Sequence, residues 1–351
     1  MEKPVIGIIG AGIGGLALAV RLAVAGCRVE VFEKNASPGG KIGEYRQAGY
    51  RFDTGPSLFT LPELLDELFD MAGTPPESRL KHHPLQEVCR YFYPDGAEIN
   101  VPADPADFAL AAEKAFGEPA SRVSNYLRGA ADLYNLAAGI FLFSPFQKLS
   151  KLFVKENAHM AARIYKLRAL TKLHDFHRKS FSRPHTIQLF DRYATYNGSS
   201  PYKAPATLHM IAHLEHNLGA FYPVGGMRAI VQAVYSEAVR LGVQFHFHAP
   251  VAEIIIHKGV ATGVRTNNEQ FRCDHVISNA DIFHTYQKLL PGMNLPGSIQ
   301  RQDLSTSAVI FYWGINASFP AVSLHNILFS SDYQGEFKHL FGKGSVFDDP
   351  T

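Results

Sequence analysis

Val5-Ile6-Gly7-Ile8-Ile9-Gly10-Ala11-Gly12-Ile13-Gly14-Gly15-Leu16-Ala17-Leu18-Ala19-Val20-Arg21-Leu22-Ala23 decides how the rest of the chain is read. A short β-branched run meets a glycine cluster, and a row of strong helix formers follows until Gly26. Val29–Glu33 is a second apolar run, ending on an acid. The order is strand, glycine turn, helix, strand, with G-x-G-x-x-G at Gly10, Gly12 and Gly15. Gly10 permits the tight turn, Gly12 lets a diphosphate approach the backbone, and Gly15 lets the helix pack close to the strand. Unpaired N–H groups at the helix start favour an anion. Glu33 stands where a carboxylate accepts from ribose hydroxyls and repels a 2′-phosphate.

Composition sets wide bounds. The chain has 351 residues, a formal charge of +2, 46% apolar and 19% charged residues. That describes an ordinary globular protein of one to three domains, with no polyelectrolyte partner implied. Cys27, Cys89 and Cys273 are far apart and odd in number, so a reducing cytosol fits better than a disulfide framework. The longest apolar run, around Leu136–Phe143, is too short to span a bilayer. Glu2 and the early glycine turn argue against a secretion signal.

Further along, Asn35–Lys41 is a turn-rich loop with Gly39, Gly40 and the cation Lys41. Gly49–Ser57 is another, containing Asp53-Thr54-Gly55-Pro56-Ser57. Leu61–Met71 has the spacing of an amphipathic helix, and Tyr91–Val101 reads as a hairpin about Pro94-Asp95-Gly96. Alanine-rich Pro102–Phe143 reads as helical. Phe221–Met227 opens a second clear helix, with Ile230, Val231, Val234, Ala238 and Leu241 on one face. Strand-like runs follow at Gln244–His248, Val251–His257, Val260–Arg265, Phe271–Cys273 and His275–Ile277, and a further β-rich stretch at Ser307–Trp313. The expected organisation is a cofactor domain at 1–74 and 220–288, and a second domain at 75–219 and 289–351.

Ten cations lie between Lys148 and Arg183, opposed only by Glu156 and Asp175 and interleaved with Phe153, Leu167, Leu170, Phe176 and Phe181. Such a stretch suits either a solvated helix face or an anionic membrane surface. No nucleic-acid motif accompanies it. His209, His213 and His216 fall on adjacent turns, but His-Met-Ile-Ala-His lacks the glutamate of a zincin, so no metal site is expected. His246 and His248 read as alternate positions of one strand face.

The opening unit with Glu33, Gly39-Gly40-Lys41, Asp53–Ser57, Asn197–Tyr202, Phe221–Met227 and Ile277-Ser278-Asn279-Ala280-Asp281 resembles the bacterial-type phytoene desaturases, the carotenoid desaturase family. Phe311-Tyr312-Trp313-Gly314 and Leu324-His325-Asn326-Ile327 lean towards its hydroxycarotenoid branch. The resemblance implies an α/β fold: a glutathione-reductase-type FAD-binding Rossmann domain with a discontinuous α+β substrate domain. It implies FAD held by Gly10, Gly12, Gly14, Gly15, Glu33, Lys34, Gly40, Lys41, Gly55, Pro56, Ser57, Val251, Asn279, Ala280 and Asp281. It implies a linear carotenoid substrate, with Asp191 and Arg192 as candidates for polar assistance and Tyr196, Asn197, Tyr202 and Pro205 as candidates along the substrate path. A hydrocarbon of this kind makes the basic segment 148–183 a candidate docking surface at the inner face of the cell membrane. Two departures stand out. Lys41 occupies a position that is commonly arginine, and the family pattern implies further substrate domain and a last flavin-contacting segment beyond Thr351. Oligomeric state is left open.

Overall fold

The structure is a computed structural model that describes residues 3–143, 164–267, 269–302 and 308–351. The chain divides into two compact units, 1–83 with 221–303 and 84–220 with 304–351. Residues 75–83 and 289–303 therefore go with the first unit.

The first unit is built on a parallel sheet. β1 (Val5–Ile9) lies between β2 (Arg28–Phe32) and β13 (His275–Ser278), and β9 (Gln244–His246) flanks β2. α1 (Ile13–Val24) makes the crossover from β1 to β2. It turns Leu16, Ala19 and Val20 inward, the i, i+3, i+4 face of a helix. α7 (Arg228–Arg240) packs on α1 and buries Ile230, Val231, Val234 and Ala238. With Ile6, Ile8, Val29 and Val31 these side chains form one core, in which each buried Leu, Ile or Val is worth roughly 1.5–3 kcal/mol.

β3 (Gly43–Gln47) and β4 (Tyr50–Thr54) form a hairpin, followed by α2 (Glu63–Met71). β5 (His82–Pro84) pairs with β8 (Phe221–Pro223). β10 (Val251–His257), β11 (Val260–Thr266) and β12 (Gln270–Arg272) make an antiparallel meander. Lys258 and Gly259 both take positive φ at its first turn, the geometry that suits a two-residue hairpin loop.

In the second unit β6 (Glu87–Phe92) pairs antiparallel with β7 (Glu98–Pro102) and parallel with β14 (Asn326–Leu328). Asp104 caps α3 (Pro105–Phe116) by accepting from the Ala106 and Asp107 N–H groups. α4 (Ala120–Phe141), α5 (Leu173–Ser180) and α6 (Pro184–Asp191) complete the helical layer, and α8 (Tyr333–Lys338) follows β14.

Three expectations change. Pro102–Phe143 is two helices, because Gly117 adopts the left-handed conformation and Pro119 follows it. The strand expected at Gln244–His248 ends at His246, and His248 itself has φ +52, so the two histidines do not share a strand face. Residues 308–313 form no strand. No partner pairs with them among the described residues, and an unpaired strand leaves its N–H and C=O groups unbonded to a neighbour. Residues 148–163 of the basic segment lie outside the described residues.

Gly55 marks where two loops are pressed together. Its φ is +98, and a Cβ there would stand 1.9 Å from the Lys41 carbonyl oxygen. Gly55→Ala is expected to destabilise the first unit by about 2–3 kcal/mol in urea unfolding, through backbone strain and the displaced Lys41 loop. An unchanged unfolding midpoint would remove that account.

Candidate functional site

The glycine turn of the first unit is held from several sides. The Gly10 N–H donates to Phe32 O at 2.8 Å, and Asn279 N–H donates to Ile9 O at 2.9 Å, fastening the ends of β2 and β13 beside it. A Cβ on Gly15 would meet Gly10 O at 2.2 Å, and one on Gly14 would meet Asn279 Oδ1 at 2.9 Å. Gly39 N–H donates to Ala11 O at 2.8 Å, bringing the second glycine loop across, and a Cβ on Gly40 would lie 3.3 Å from Gly12 Cα. Gly10, Gly12, Gly14, Gly15, Gly40 and Asn279 therefore converge. Lys41 and Gly55 join through their own contact. Pro56 and Ser57 continue that loop at the surface. Lys34 is exposed beside the turn. Val251 begins β10 opposite Thr266. Ala280 is half-buried, and Asp281 accepts from Phe283 N–H at 2.8 Å, capping a short helical turn.

Glu33 is the structural surprise at this site. It is only 4% exposed. Its Oε2 accepts from Ala11 N–H at 2.9 Å, and its Oε1 accepts from the N–H and Nδ2 of Asn35 at 2.9 and 2.8 Å. An ionised carboxylate offers about four acceptor positions, so one remains for a ribose hydroxyl. The residue builds the turn through these bonds.

Two residues that sequence reasoning passed over lock the loops. Asp53 accepts from Met227 N–H at 2.9 Å and from Tyr222 OH at 3.2 Å, placing a negative charge at the start of α7. Arg228 donates through Nη1 to Pro38 O and, at 3.2 Å, to Ile42 O. The signal was present in Gly225-Gly226: both take positive φ, and a Cβ on Gly226 would meet Asp53 Oδ2 at 2.5 Å.

Does this cradle fit an FAD? α1 begins at Ile13 behind Gly12 as N-cap, with no side chain capping it and no acid in its first turn. Its first N–H groups and its positive dipole end are thus left for a diphosphate. A Cβ on Gly12 would stand 3.2 Å from Asn279 Nδ2, a tight contact that the amide would have to relieve by a small shift. The groups fit. Parallel sheet, glycine turn, uncapped helix start and buried acid together define an FAD-binding Rossmann protein.

The second unit holds the other candidates. Asp191 and Arg192 are adjacent in sequence but serve separate networks. Asp191 accepts from His174 Nδ1 and His177 Nδ1, each at 2.6 Å, and His177 Nε2 accepts from Tyr126 OH at 2.8 Å. Arg192 donates to Glu215 Oε1 at 3.0 Å and lies over the rings of Tyr193, Tyr91 and Tyr196 at 4.6, 5.4 and 5.5 Å. Tyr193 and Tyr196 both donate their hydroxyls to Glu215, and His216 Nε2 stands 2.5 Å from the Tyr193 hydroxyl. Burial alone raises the Glu215 carboxyl, but Arg192, His216 and the two hydroxyls outweigh it and hold it below the usual range.

Of the expected path residues, Tyr196 shows a part-exposed ring above Glu215, and Tyr202 is half-buried with its ring 4.6 Å from that of His174. Asn197 and Pro205 sit exposed at turn ends. A cavity of about 920 Å³ also opens in this unit between Arg122, Tyr126, Leu133, Leu136, Phe176 and His209. His209, His213 and His216 are all buried. Among the described residues no cluster of three or more metal-ligating side chains occurs.

A match to the family model described as "Flavin containing amine oxidoreductase" covers residues 13–313. The chain is 42% identical to the 1-hydroxycarotenoid 3,4-desaturase of Flavobacterium sp. (strain P99-3), over all of this chain and 71% of that protein. It is 31% identical to the phytoene desaturase of Cercospora nicotianae, over all of this chain and 57% of that one. A solved putrescine oxidase shares the fold with a TM-score of 0.55 at 18% identity, covering 82% of this chain and 60% of its own. The chain thus spans between about half and three quarters of the proteins it matches. It belongs to the flavin-containing amine oxidoreductase family, within its carotenoid desaturase group.

Two predictions follow from this geometry. Glu33→Ala leaves Ala11 N–H and Asn35 without their acceptor, so retained FAD, read by absorbance after gel filtration, should weaken about tenfold or more; full retention would contradict a building role. Burial pushes His209 and His216 down to about 4, from the ordinary 6.5. An unfolded chain takes these protons as pH falls below about 6.5, while the folded chain resists until about 4. Stability is therefore whole above 6.5 and drains on acidification through that window, by roughly 3 kcal/mol per pH unit where both differ. Urea unfolding that is flat from pH 7 to pH 5 would contradict it.

Proposed function

We propose that this chain provides the cofactor cradle and part of the substrate domain of an FAD-dependent desaturase, which introduces carbon–carbon double bonds into a linear carotenoid. The observation that carries the substrate class is the 42% identity, over the whole chain, to a hydroxycarotenoid desaturase. Bound FAD supplies a two-electron oxidant that accepts a hydride from the saturated bond. The chain's own residues do the rest. The start of α1 binds the diphosphate, Glu33 reads the ribose, and Asp53 with Arg228 keeps the loops closed. A proton must also leave the carbon next to the hydride donor. The polyene stabilises developing positive charge by resonance, so no strong protein base is required. Arg192 has its charge matched by Glu215 and helps specify the packing of the unit's interior.

The basic segment 148–183 supports a second part of the reading, peripheral docking on an anionic membrane from the cytoplasmic side. In its described portion, α5 buries Leu173 and His177 while Arg178 and Lys179 face solvent. No helix among the described residues is long and apolar enough to cross a membrane.

Co-expression with a carotenoid pathway tests the activity. The expected product is a pigment two hydrogens lighter per step, with absorption shifted to longer wavelength. A flavin-loaded protein that leaves every linear carotenoid unchanged while oxidising an amine would overturn the desaturase reading. Co-sedimentation with anionic liposomes should fall several-fold when lysines 151, 155, 166 and 172 are changed to glutamine; undiminished pelleting would remove the docking role.

A further inference from the structure

The cavity between α4 and α5 is walled by charge that the proposed function does not use. It lies wholly within the second unit and has a volume of about 920 Å³. Its lining includes three cations, Arg122, Lys166 and Arg168, against a single carboxylate, Asp132. His209 also faces it, but burial pushes that imidazole down to about 4, so it adds no charge near neutrality. The walls therefore carry a formal excess of two positive charges. Two of the cations have neighbouring seats on α5. Arg122 donates through Nη1 to Ser180 O at 3.3 Å. The Arg168 guanidinium lies over the Phe176 ring at 4.6 Å. Phe176 and Ser180 stand one helical turn apart, about 5–6 Å. Glu118 comes within 3.9 Å of Arg122 Nε, but its oxygens already accept from the N–H groups of Ser182 and Arg183. The turn that carries Arg168 is pinned in place: Thr207 Oγ1 donates to Leu167 O at 2.5 Å, and Ala206 N–H donates to Thr171 O at 2.7 Å. Neither Lys166 nor Arg168 meets a carboxylate among the described residues. A guanidinium that is seated but not neutralised is a fork for an oxyanion. Leu133 and Leu136 supply apolar wall in the same cavity.

We propose that this cavity binds a phosphate group, held by Arg122 and Arg168 with Lys166 as the third cation. A phosphate monoester carries about 1.5–2 negative charges at neutral pH, which matches the excess on the walls, whereas a carboxylate carries only one. The group is either free phosphate or the head of an apolar chain that lies along Leu133 and Leu136. The flavin cradle belongs to the first unit, and this site depends neither on it nor on the reaction assigned to the chain.

Titration calorimetry of the flavin-loaded protein, whose diphosphate site is filled, with inorganic phosphate, octyl phosphate, octanoate and octanol tests the site. Octyl phosphate should bind, and Arg122→Gln and Arg168→Gln should each weaken it about tenfold. Lys179→Gln, which removes an exposed cation of α5 outside the cavity lining, should leave it unchanged. Octyl phosphate binding more tightly than inorganic phosphate supports the head of an apolar chain; equal or weaker binding supports the free anion. Octanoate or octanol binding as tightly as octyl phosphate overturns the inference. So does a loss in Lys179→Gln as large as that in Arg168→Gln, or binding of neither phosphate. A second measurement needs no variant. The ³¹P resonance of octyl phosphate should shift when the wild-type protein is added and return when excess sulfate, another tetrahedral dianion, displaces it; a resonance that never moves, or a shift that sulfate leaves in place, counts against the proposal.

Discussion

A nearly buried carboxylate and a missing methyl group govern the first unit. Glu33 can hold Ala11 and Asn35 only if β2 ends level with the glycine turn, and the turn can close only if Gly15 has no Cβ to strike Gly10 O. That contact would be 2.2 Å, too short for any local adjustment. The parallel register of β1 with β2 and β13, the packing of α1, and the approach of the Gly39–Gly40 loop all follow from one small volume being kept clear. An opening for a diphosphate is a by-product of the same constraint. The helix start that glycine leaves uncapped is where an anion would be stabilised.

The second unit obeys a different rule. Its interior carries charge: Asp191 between two imidazoles, and Arg192 against Glu215 inside a ring of tyrosines. Buried ions of this kind are costly unless every partner is in place, so the two networks specify the packing more than they strengthen it. Their adjacency in sequence, at the end of α6, sends one side chain to each network. Both networks draw histidines into the core as neutral groups, which ties this unit's stability to pH.

The βαβ unit, α7 and the meander were legible because their signals are local: periodicity, helix stops, and glycines at fixed offsets. Glu33 was legible by position, but its hydrogen bonds to Ala11 and Asn35 were not, since they depend on how β2 ends. Asp53 stood in a recognised loop motif, but its partners, like those of Arg228, were hidden for a stronger reason. Each acts on residues more than a hundred and seventy positions away, and no spacing rule reaches that far. His174 and His177 were passed over inside a stretch whose charge bias suggested only a surface. Asp191 ties them together, and a lone aspartate ahead of an arginine gives no warning that it will accept from two imidazoles. The β-rich stretch expected at Ser307–Trp313 forms no strand over residues 308–313, because an apolar, aromatic run describes side chains, whereas a strand also needs a neighbour.

Gly10 to Glu33 with Asn279 form the cradle of the first unit. Calorimetric titration of flavin-stripped protein with ADP and with its 2′-phosphorylated counterpart tests it most directly. ADP should bind, compete with FAD, and exceed the 2′-phosphate form by at least tenfold, because the last acceptor position of Glu33 meets a hydroxyl in one and a phosphate in the other. Equal affinity for the two, or no binding of ADP where FAD still binds, would contradict it.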